Sequence, residues 1–302
     1  MSSALKLFLS LAAIVVALFV GTAVYLYSNP VGFSLWLGRQ ALTSSGLGRG
    51  TVDGPRGELR VFAGGEGPTV VLLHGLGDQA ASWVKIASGL TSRHRVVVPD
   101  LAGHGDSEPS DGALALGDLV EGLEAVIADE PDAQSPVTLV GQDLGGWVAV
   151  LYALEHPDRV ERLVLVDSLG LAREEPVSRL PSNPEQARAL VEALGTSKGR
   201  PLADFVLDDM VQKIRRGPVR RLYGSVEPGD YLEDRLPAVE VPVAVIWGED
   251  DALTPVAWGE YFARRLPEAH LVLLRGCGHV PQQSCPEDLL RSLRKVLGQD
   301  RR

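Results

Sequence analysis

Short apolar runs alternate along the chain with segments whose apolar positions recur at helical spacing. The runs predict an edge strand followed by six buried strands, and they lie at residues 59–62, 69–73, 95–98, 137–140, 162–166, 243–247 and 271–274. Helices are predicted at residues 80–90, 116–128 and 144–155, the second with a clear 3.6-residue period. Continuous apolar strands separated by helices indicate a mostly parallel sheet covered on both faces.

The strand pattern stops between Gly170 and Pro237. This stretch has prolines at positions 176, 181, 184, 201 and 218, among others, together with helical patches near 186–194 and 203–215. We predict that residues 170–237 form a helical cap, and that residues 57–169 and 238–302 form the α/β core. The cap would lie above the carboxyl ends of the strands, where open α/β sheets bind ligands.

An uncharged stretch of 21 residues, Leu7 to Tyr27, lies near the start of the chain. It is long enough to cross a bilayer as a helix, whereas a signal peptide has a shorter apolar core and small residues at its cleavage site. We predict a single-span membrane anchor over residues 1–28, followed by a juxtamembrane linker over residues 29–56. The side of the membrane stays open, because Lys6 precedes the span while Arg39 and other basic residues follow it.

The formal net charge of −10 over 302 residues disfavours nucleic acid as a partner. The two cysteines, Cys277 and Cys285, are too few for a disulfide scaffold and lack the spacing of a zinc site. They could pair in an oxidising compartment or remain two free thiols. No metal or organic cofactor is implied.

The strongest chemical signal is the sequence Gly141-Gln142-Asp143-Leu144-Gly145-Gly146. It lies between a predicted strand and a predicted helix, which is the setting of a nucleophile elbow, and its glycines allow the turn to close tightly. Serine at the centre would predict attack on acyl carbonyls. Aspartate at the centre predicts attack on saturated carbon through a covalent ester.

Five motifs in order resemble those of the α/β-hydrolase superfamily. They are Leu73–Gly77 (an oxyanion-hole loop), Asp100–Ser107, the elbow Gly141–Gly146, Trp247–Asp251 (an acid loop) and Gly276–His279 (a histidine loop). The resemblance covers about Gly57 to Gly298 and implies the α/β-hydrolase fold. The body is similar to capped esterases, monoacylglycerol-lipase-like enzymes and carbon–carbon bond hydrolases. Aspartate in the elbow is similar to epoxide hydrolases and haloalkane dehalogenases.

The resemblance implies a catalytic set of three residues: Asp143 as nucleophile, His279 as base and Asp251 as the carboxylate that orients His279. Asp167, directly after the predicted strand at residues 162–166, is the alternative acid. The backbone N–H groups of Leu76 and Leu144 are the expected oxyanion hole.

Help for the leaving group separates the possible reactions. Epoxide hydrolases polarise the ring oxygen with cap tyrosines, and Tyr223 and Tyr231 lie in the predicted cap. Haloalkane dehalogenases have tryptophan directly after the nucleophile, where this chain has Leu144. The sequence therefore favours a membrane-anchored hydrolase of epoxide-hydrolase type acting on a small lipophilic substrate. The alternatives are an esterase or monoacylglycerol-lipase-like scaffold with aspartate in place of serine, a haloalkane dehalogenase, and a non-catalytic ligand-binding protein.

Overall fold

One eight-stranded sheet forms the centre of the computed structural model, which describes residues 3–195 and 201–298. The strand order is β1-β2-β4-β3-β5-β6-β7-β8. The strands are β1 (Gly48–Gly54), β2 (Gly57–Gly64), β3 (Thr69–Leu73), β4 (Arg95–Pro99), β5 (Val137–Gln142), β6 (Val160–Val166), β7 (Val243–Gly248) and β8 (His270–Leu274). β2 pairs antiparallel with β1 and β4, and all other pairs are parallel, so the predicted fold class is confirmed.

Helices pack on both faces of this sheet, and further helices precede β1 or lie between β6 and β7 in sequence. The α-helices are α1 (Ser3–Ser28), α2 (Pro30–Ser44), α3 (Val84–Ala87), α4 (Leu116–Ala128), α5 (Leu144–Glu155), α6 (Pro184–Leu194), α7 (Asp204–Arg216), α8 (Pro218–Tyr223), α9 (Val256–Arg265), α10 (Pro281–Ser284) and α11 (Pro286–Val296). Short 3₁₀ helices lie at Ala80–Trp83, Pro157–Arg159, Pro228–Asp230 and Leu236–Ala238.

The core has two apolar layers, one on each face of the sheet. Neighbouring residues of a strand point to opposite faces, so Val71 of β3 joins the layer under α4 and α5, while Val70 joins the layer under α3 and α11. α5 is apolar around its circumference and buried over most of its length. That burial fixes the start of α5 at the carboxyl edge of the sheet.

Residues 29–56, predicted to be a linker, instead contain α2 and β1. β1 pairs along its whole length with β2, from Gly48 opposite Ala63 to Gly54 opposite Gly57. Leu42 of α2 is fully buried among the apolar residues behind the sheet. β1 was not predicted from the sequence, because it is an edge strand with mostly exposed side chains and three glycines. It therefore lacks the apolar run of a buried strand.

The segment between β6 and β7 contains no strand among its described residues, and α6, α7 and α8 lie in it. Residues 196–200 of this segment lie outside the described residues. Before α6, residues 170–183 run without a regular element. This irregular stretch reaches the carboxyl edge of the sheet and supplies a side chain to the candidate site.

α1 stands apart from the folded body. Within it, Phe8–Ser28 has a mean hydropathy of 2.4 and is long and apolar enough to cross a membrane, by length and composition. Most apolar side chains of Phe8–Ser28 are exposed, with Phe19 at 75%. The end of α1 touches the segment after β6, since the Tyr27 ring stacks on Phe205 with a centroid distance of 4.6 Å.

Candidate active site

A sharp turn between β5 and α5 carries Asp143 at the carboxyl edge of the sheet. Asp143 has φ 54° and ψ −117°, an unusual conformation that costs a residue other than glycine about 1–3 kcal/mol. A Cβ atom added to Gly141 would lie 2.3 Å from the carbonyl oxygen of Gly145, and one added to Gly145 would lie 2.4 Å from that of Leu73. The glycines therefore let the turn close, and the buried strand and helix hold Asp143 in this conformation.

The three side chains of the predicted catalytic set meet at this turn. Nε2 of His279 lies 3.2 Å from Oδ1 of Asp143, and Nδ1 of His279 lies 2.8 Å from Oδ2 of Asp251. All three side chains are buried. The imidazole bridges two carboxylates, an arrangement that a protonated ring satisfies because both of its nitrogens then donate.

Asp251 is held by the loop that follows β7. Its Oδ1 accepts the N–H groups of Leu253 and Thr254, each at 2.8 Å, and its Oδ2 accepts the Thr254 hydroxyl at 2.5 Å. Asp167, the alternative acid, lies beside Asp251 and accepts the N–H of Gly248 at 2.7 Å. Burial and the charge of Asp251 raise the pKa of Asp167 well above its ordinary value. Oδ2 of Asp251 is the carboxylate oxygen that accepts the hydrogen bond from Nδ1 of His279.

The loop that carries His279 is tied down at several points. The side-chain amide of Gln142 donates to the carbonyl oxygen of His279 at 3.0 Å. Cys277 and Cys285 form a disulfide with their Cα atoms 5.8 Å apart, so of the two possibilities left open by the sequence the structure has the pair. The disulfide encloses His279 in a short covalent loop, which limits how far the imidazole can move from Asp143.

One predicted oxyanion-hole donor already contacts the carboxylate. The N–H of Leu76 donates to Oδ2 of Asp143 at 2.8 Å. Leu144 is the first residue of α5, so its N–H is among those that have no acceptor within the helix. The loop of Leu76 is braced by His74, whose Nε2 accepts the N–H of Leu101 at 3.0 Å and whose Nδ1 lies 2.8 Å from the carbonyl oxygen of Gly75. Burial lowers the pKa of His74 to about 4, which keeps this brace neutral.

Arg179 is a residue of the site that the sequence analysis missed. Its guanidinium contacts both oxygens of the Asp143 carboxylate, Nη2 to Oδ1 at 2.7 Å and Nη1 to Oδ2 at 3.0 Å. The Arg179 side chain is only 5% exposed. Its Nε donates to Oε2 of Glu175 at 2.5 Å, and Oε1 of Glu175 accepts the Tyr223 hydroxyl at 2.9 Å. No periodicity or motif marks Arg179, because it lies in the irregular stretch before α6.

The two cap tyrosines predicted as donors have other partners in the structure. Tyr231 stacks on the indole of Trp147 with a centroid distance of 5.4 Å, and this packing holds its ring in the apolar layer around α5. The Tyr223 hydroxyl donates to Glu175, and two residues, Glu175 and Arg179, link it to Asp143. The Tyr223 hydroxyl is thus already donated to Glu175 and the Tyr231 ring is packed on Trp147, and a role for either tyrosine as a donor to a substrate stays a prediction.

Opposing effects set the charge state of the site. Burial raises the pKa of Asp143, but the positive charges of Arg179 and His279 outweigh burial and hold this pKa well below its ordinary value. Burial lowers the pKa of His279, but the carboxylates of Asp251 and Asp143 outweigh burial and raise it to about 10. At neutral pH the resting site thus holds an ionised Asp143 between two cations. Among residues 3–195 and 201–298, no group of three or more His, Cys, Asp or Glu side chains is arranged to hold a metal ion.

An elbow at the carboxyl edge of this sheet order, with a histidine and an acid from the last two loops, defines an α/β hydrolase. The sequence model of the alpha/beta hydrolase family matches residues 70–292, and the chain belongs to that family. The likeness to esterases and lipases predicted from the motifs is confirmed by its relatives.

Three relatives illustrate the range of the family around this chain. The pimeloyl-[acyl-carrier protein] methyl ester esterase of Chromobacterium violaceum is 31% identical over 77% of this chain and 95% of its own length. Human monoacylglycerol lipase ABHD6 is 25% identical over 71% of each chain. The crystal structure of a bacterial membrane phospholipase A superposes with a TM-score of 0.75 and 25% identity, covering 97% of this chain and 98% of the other.

Proposed function

We propose that this hydrolase uses the Asp143 carboxylate as a nucleophile on the ring carbon of an epoxide. One observation carries the proposal: the Asp143 side chain lies at the nucleophile elbow, with Oδ1 3.2 Å from Nε2 of His279 and Oδ2 2.8 Å from the backbone nitrogen of Leu76. A carboxylate in this place can attack carbon and form an ester, and the same imidazole can then serve as the base that hydrolyses it.

In the first step, an electron pair of one Asp143 oxygen forms a bond to the ring carbon. The ring C–O bond breaks, and its electron pair stays on the departing oxygen. The product is an alkyl ester of Asp143 whose alkoxide needs a proton. His279, whose pKa is raised to about 10, holds a proton beside the reacting carboxylate. Transfer of this proton to the alkoxide leaves His279 neutral.

In the second step, neutral His279 takes a proton from water as the water attacks the ester carbonyl of Asp143. The N–H groups of Leu76 and Leu144 would bind the oxyanion of the tetrahedral intermediate. When this intermediate collapses, the alkyl oxygen leaves with the proton from His279, and a diol is released. The carboxylic acid of Asp143 returns its proton to His279, so the resting charges are restored.

The resting protonation state favours an epoxide over a haloalkane. A halide ion leaves without taking a proton, so the imidazolium of His279 would first have to lose its proton to solvent before it could act as a base. An epoxide oxygen consumes that proton in the first step and so prepares the base for the second. The charge state of the site therefore suits a leaving group that must be protonated.

An ester hydrolase is the second candidate, because the relatives include an esterase and a lipase. Attack of Asp143 on an acyl carbonyl would give an anhydride, which is a poor route to hydrolysis. Attack on an alkyl carbon gives a stable ester that His279 can turn over. The residue at the elbow thus supports the first candidate on this scaffold.

The substrate we propose is small and lipophilic, and the site would be reached beneath a cap formed by residues 170–237. The relatives support a lipophilic substrate, since their names describe a monoacylglycerol lipase and a membrane phospholipase. The apolar segment Phe8–Ser28 supports a membrane anchor that would keep the site close to such substrates.

The proposal is tested by trapping the covalent ester. The full chain in detergent, carrying His279→Gln, is incubated with epoxides, haloalkanes and acyl esters, and its intact mass is measured. Without its base the second step stalls, while water can still supply the proton of the first step at a lower rate, so we expect an epoxide to add its whole mass to the peptide that contains Asp143. The matched control, Asp143→Asn in the same His279→Gln chain, should show no adduct.

Each other outcome points to a different function. Loss of halide with an alkyl adduct only from haloalkanes would assign a dehalogenase. Rapid turnover of acyl esters by the unaltered chain would assign an esterase. Saturable ligand binding with no adduct and no turnover in any class would assign a non-catalytic binding protein.

A further inference from the structure

We propose that Arg179 is a catalytic residue that binds the epoxide oxygen as the epoxide ring opens. The guanidinium would stabilise the negative charge that moves from the Asp143 carboxylate to that oxygen. This inference rests on the proposed function, because it needs Asp143 to be the nucleophile. It assigns to an arginine of the irregular stretch before α6 the role that the sequence analysis gave to Tyr223 and Tyr231.

The geometry places the guanidinium on the reacting carboxylate. Nη2 and Nη1 of Arg179 lie 2.7 and 3.0 Å from the two oxygens of Asp143, and the side chain is 5% exposed. A planar guanidinium presents several N–H groups in one fork, so it can bind two oxygens at once. An oxygen that leaves the carbon under attack by Asp143 is therefore within reach of the same fork.

Negative charge moves from Asp143 to the epoxide oxygen in the first step, and we infer that Arg179 binds this oxygen as the charge develops. The carboxylate becomes a neutral ester when its oxygen bonds to carbon, while the departing oxygen becomes an alkoxide. A buried guanidinium that loses one of its two anionic partners, here Asp143 with Glu175 remaining, is destabilised unless another anion takes the vacated place. The alkoxide is that anion. The contact between Arg179 and the developing alkoxide therefore stabilises the transition state more than a site without the guanidinium could.

Glu175 and Tyr223 are positioning residues in this scheme. Glu175 binds Nε of Arg179 at 2.5 Å, on the edge of the guanidinium that does not contact Asp143. The hydroxyl of Tyr223 donates to the other oxygen of Glu175 at 2.9 Å. These two contacts fix the plane of the guanidinium while its remaining N–H groups exchange the carboxylate for the alkoxide.

Arg179 cannot act as the proton donor, because a guanidinium stays protonated in proteins. Its contribution must therefore be electrostatic, and it must grow with the basicity of the departing oxygen. The proton itself comes from His279. A leaving group that is a weak base, such as iodide, needs little electrostatic stabilisation from Arg179. Removing the arginine would also make the Asp143 carboxylate a stronger nucleophile, because it would lose a cationic partner.

The test compares leaving groups in the His279→Gln chain, in which the ester accumulates and water replaces His279 as the proton source. Arg179→Met and Arg179→Lys are added separately, and the rate of adduct formation is followed by intact mass. The probes are 1,2-epoxybutane, glycidyl methyl ether and epichlorohydrin, whose ring oxygens become progressively weaker bases on opening, together with 1-iodobutane. Circular dichroism and thermal unfolding check that each variant is folded.

We expect Arg179→Met to slow alkylation by 1,2-epoxybutane by about 100- to 1,000-fold, as for loss of one oxyanion donor. Epichlorohydrin should be slowed less, 1-iodobutane should not be slowed, and Arg179→Lys should fall between the parent chain and Arg179→Met. Glu175→Gln, which keeps the arginine, should show the same order of substrates with a smaller effect.

Two results would overturn the inference. Equal slowing of all four probes by Arg179→Met would show that the arginine only supports the structure. Unchanged rates would show that it takes no part. If neither the parent chain with Arg179 intact nor the unaltered chain, quenched within one turnover, forms an adduct with any probe, the proposed function itself fails, and this inference fails with it.

Discussion

Aspartate in place of serine changes the proton balance of the site at the scale of single residues. A serine hydroxyl is neutral, so a histidine beside it would face one carboxylate, that of Asp251. Asp143 adds a second carboxylate at 3.2 Å from the imidazole, and the two together raise the pKa of His279 to about 10 despite its burial. The histidine thus rests as an acid, whereas the histidine of a serine hydrolase must begin as a base.

This difference predicts opposite pH dependences for the two chemical steps. The imidazolium of His279 accelerates alkylation of Asp143 by an epoxide, so the rate should stay level below pH 10 and fall as the pH rises through about 10. Hydrolysis needs neutral His279, so its rate should rise with pH. The ester has no charge at Asp143, so the hydrolysis step should titrate below pH 10.

Rapid-quench mass measurements on the unaltered chain separate the two steps, since they follow formation and decay of the adduct in one turnover. The internal control is 1-iodobutane, whose alkylation needs no proton and should not fall through this pH range. A hydrolysis rate that falls as pH rises would contradict the assignment of His279 as base.

At the scale of elements, much of the fold follows from the sequence because buried parallel strands leave a clear apolar signature. The predicted strand at residues 69–73 coincides with β3, and α4 was predicted with its observed bounds. β1 was missed because its side chains are mostly exposed, so nothing in its pattern distinguishes an edge strand from a linker.

The same reasoning explains what could be predicted of the candidate site. Asp143, Asp251 and His279 lie in motifs at the ends of strands, so the parallel sheet brings them together at one edge. Arg179 reaches Asp143 from a stretch without periodicity, and only the folded chain brings the two side chains into contact. Cap residues are set by tertiary packing and leave no local signal.

The elbow predicts a strong effect from one added methyl group. In Gly145→Ala, the new Cβ would lie 2.4 Å from the carbonyl oxygen of Leu73 and 2.7 Å from its carbonyl carbon, so α5 and β3 must separate. We expect a loss of about 1–3 kcal/mol of unfolding free energy, typical of overpacking, and a slower alkylation of Asp143.

The matched control for this change is Gly117→Ala in α4. A Cβ there meets nothing within 4 Å, so this substitution should be neutral or stabilise the protein by up to about 1 kcal/mol. Chemical denaturation of both variants gives the two values. Equal stability of Gly145→Ala and the unaltered chain would mean that the elbow is not closed as tightly as described.

At the scale of the whole molecule, the disulfide and the apolar helix together bear on where the folded body lies. Cys277 and Cys285 are paired, and disulfides persist in oxidising compartments and are rare in the cytosol. The span Phe8–Ser28 precedes the body in sequence. A body on the oxidising side of a membrane, tethered by its amino-terminal helix, is consistent with both features.

This arrangement predicts the redox state of the two cysteines in the cell. Cells expressing the full chain are denatured in excess polyethylene-glycol maleimide, with and without prior reduction, and the mass shift is read on a gel. We expect two labels per chain only after reduction. The control is Cys277→Ser, which leaves Cys285 alone and should take one label without reduction.

Two labels on unreduced protein would place the body in a reducing compartment. The loop of His279 would then lack its covalent closure, and only contacts such as that from Gln142 would restrain the imidazole. The redox state thus bears on the chemistry as well as on location, because the disulfide surrounds the residue that gives and takes the proton in both steps. If it is formed in the cell, its reduction in purified protein should slow hydrolysis of the Asp143 ester.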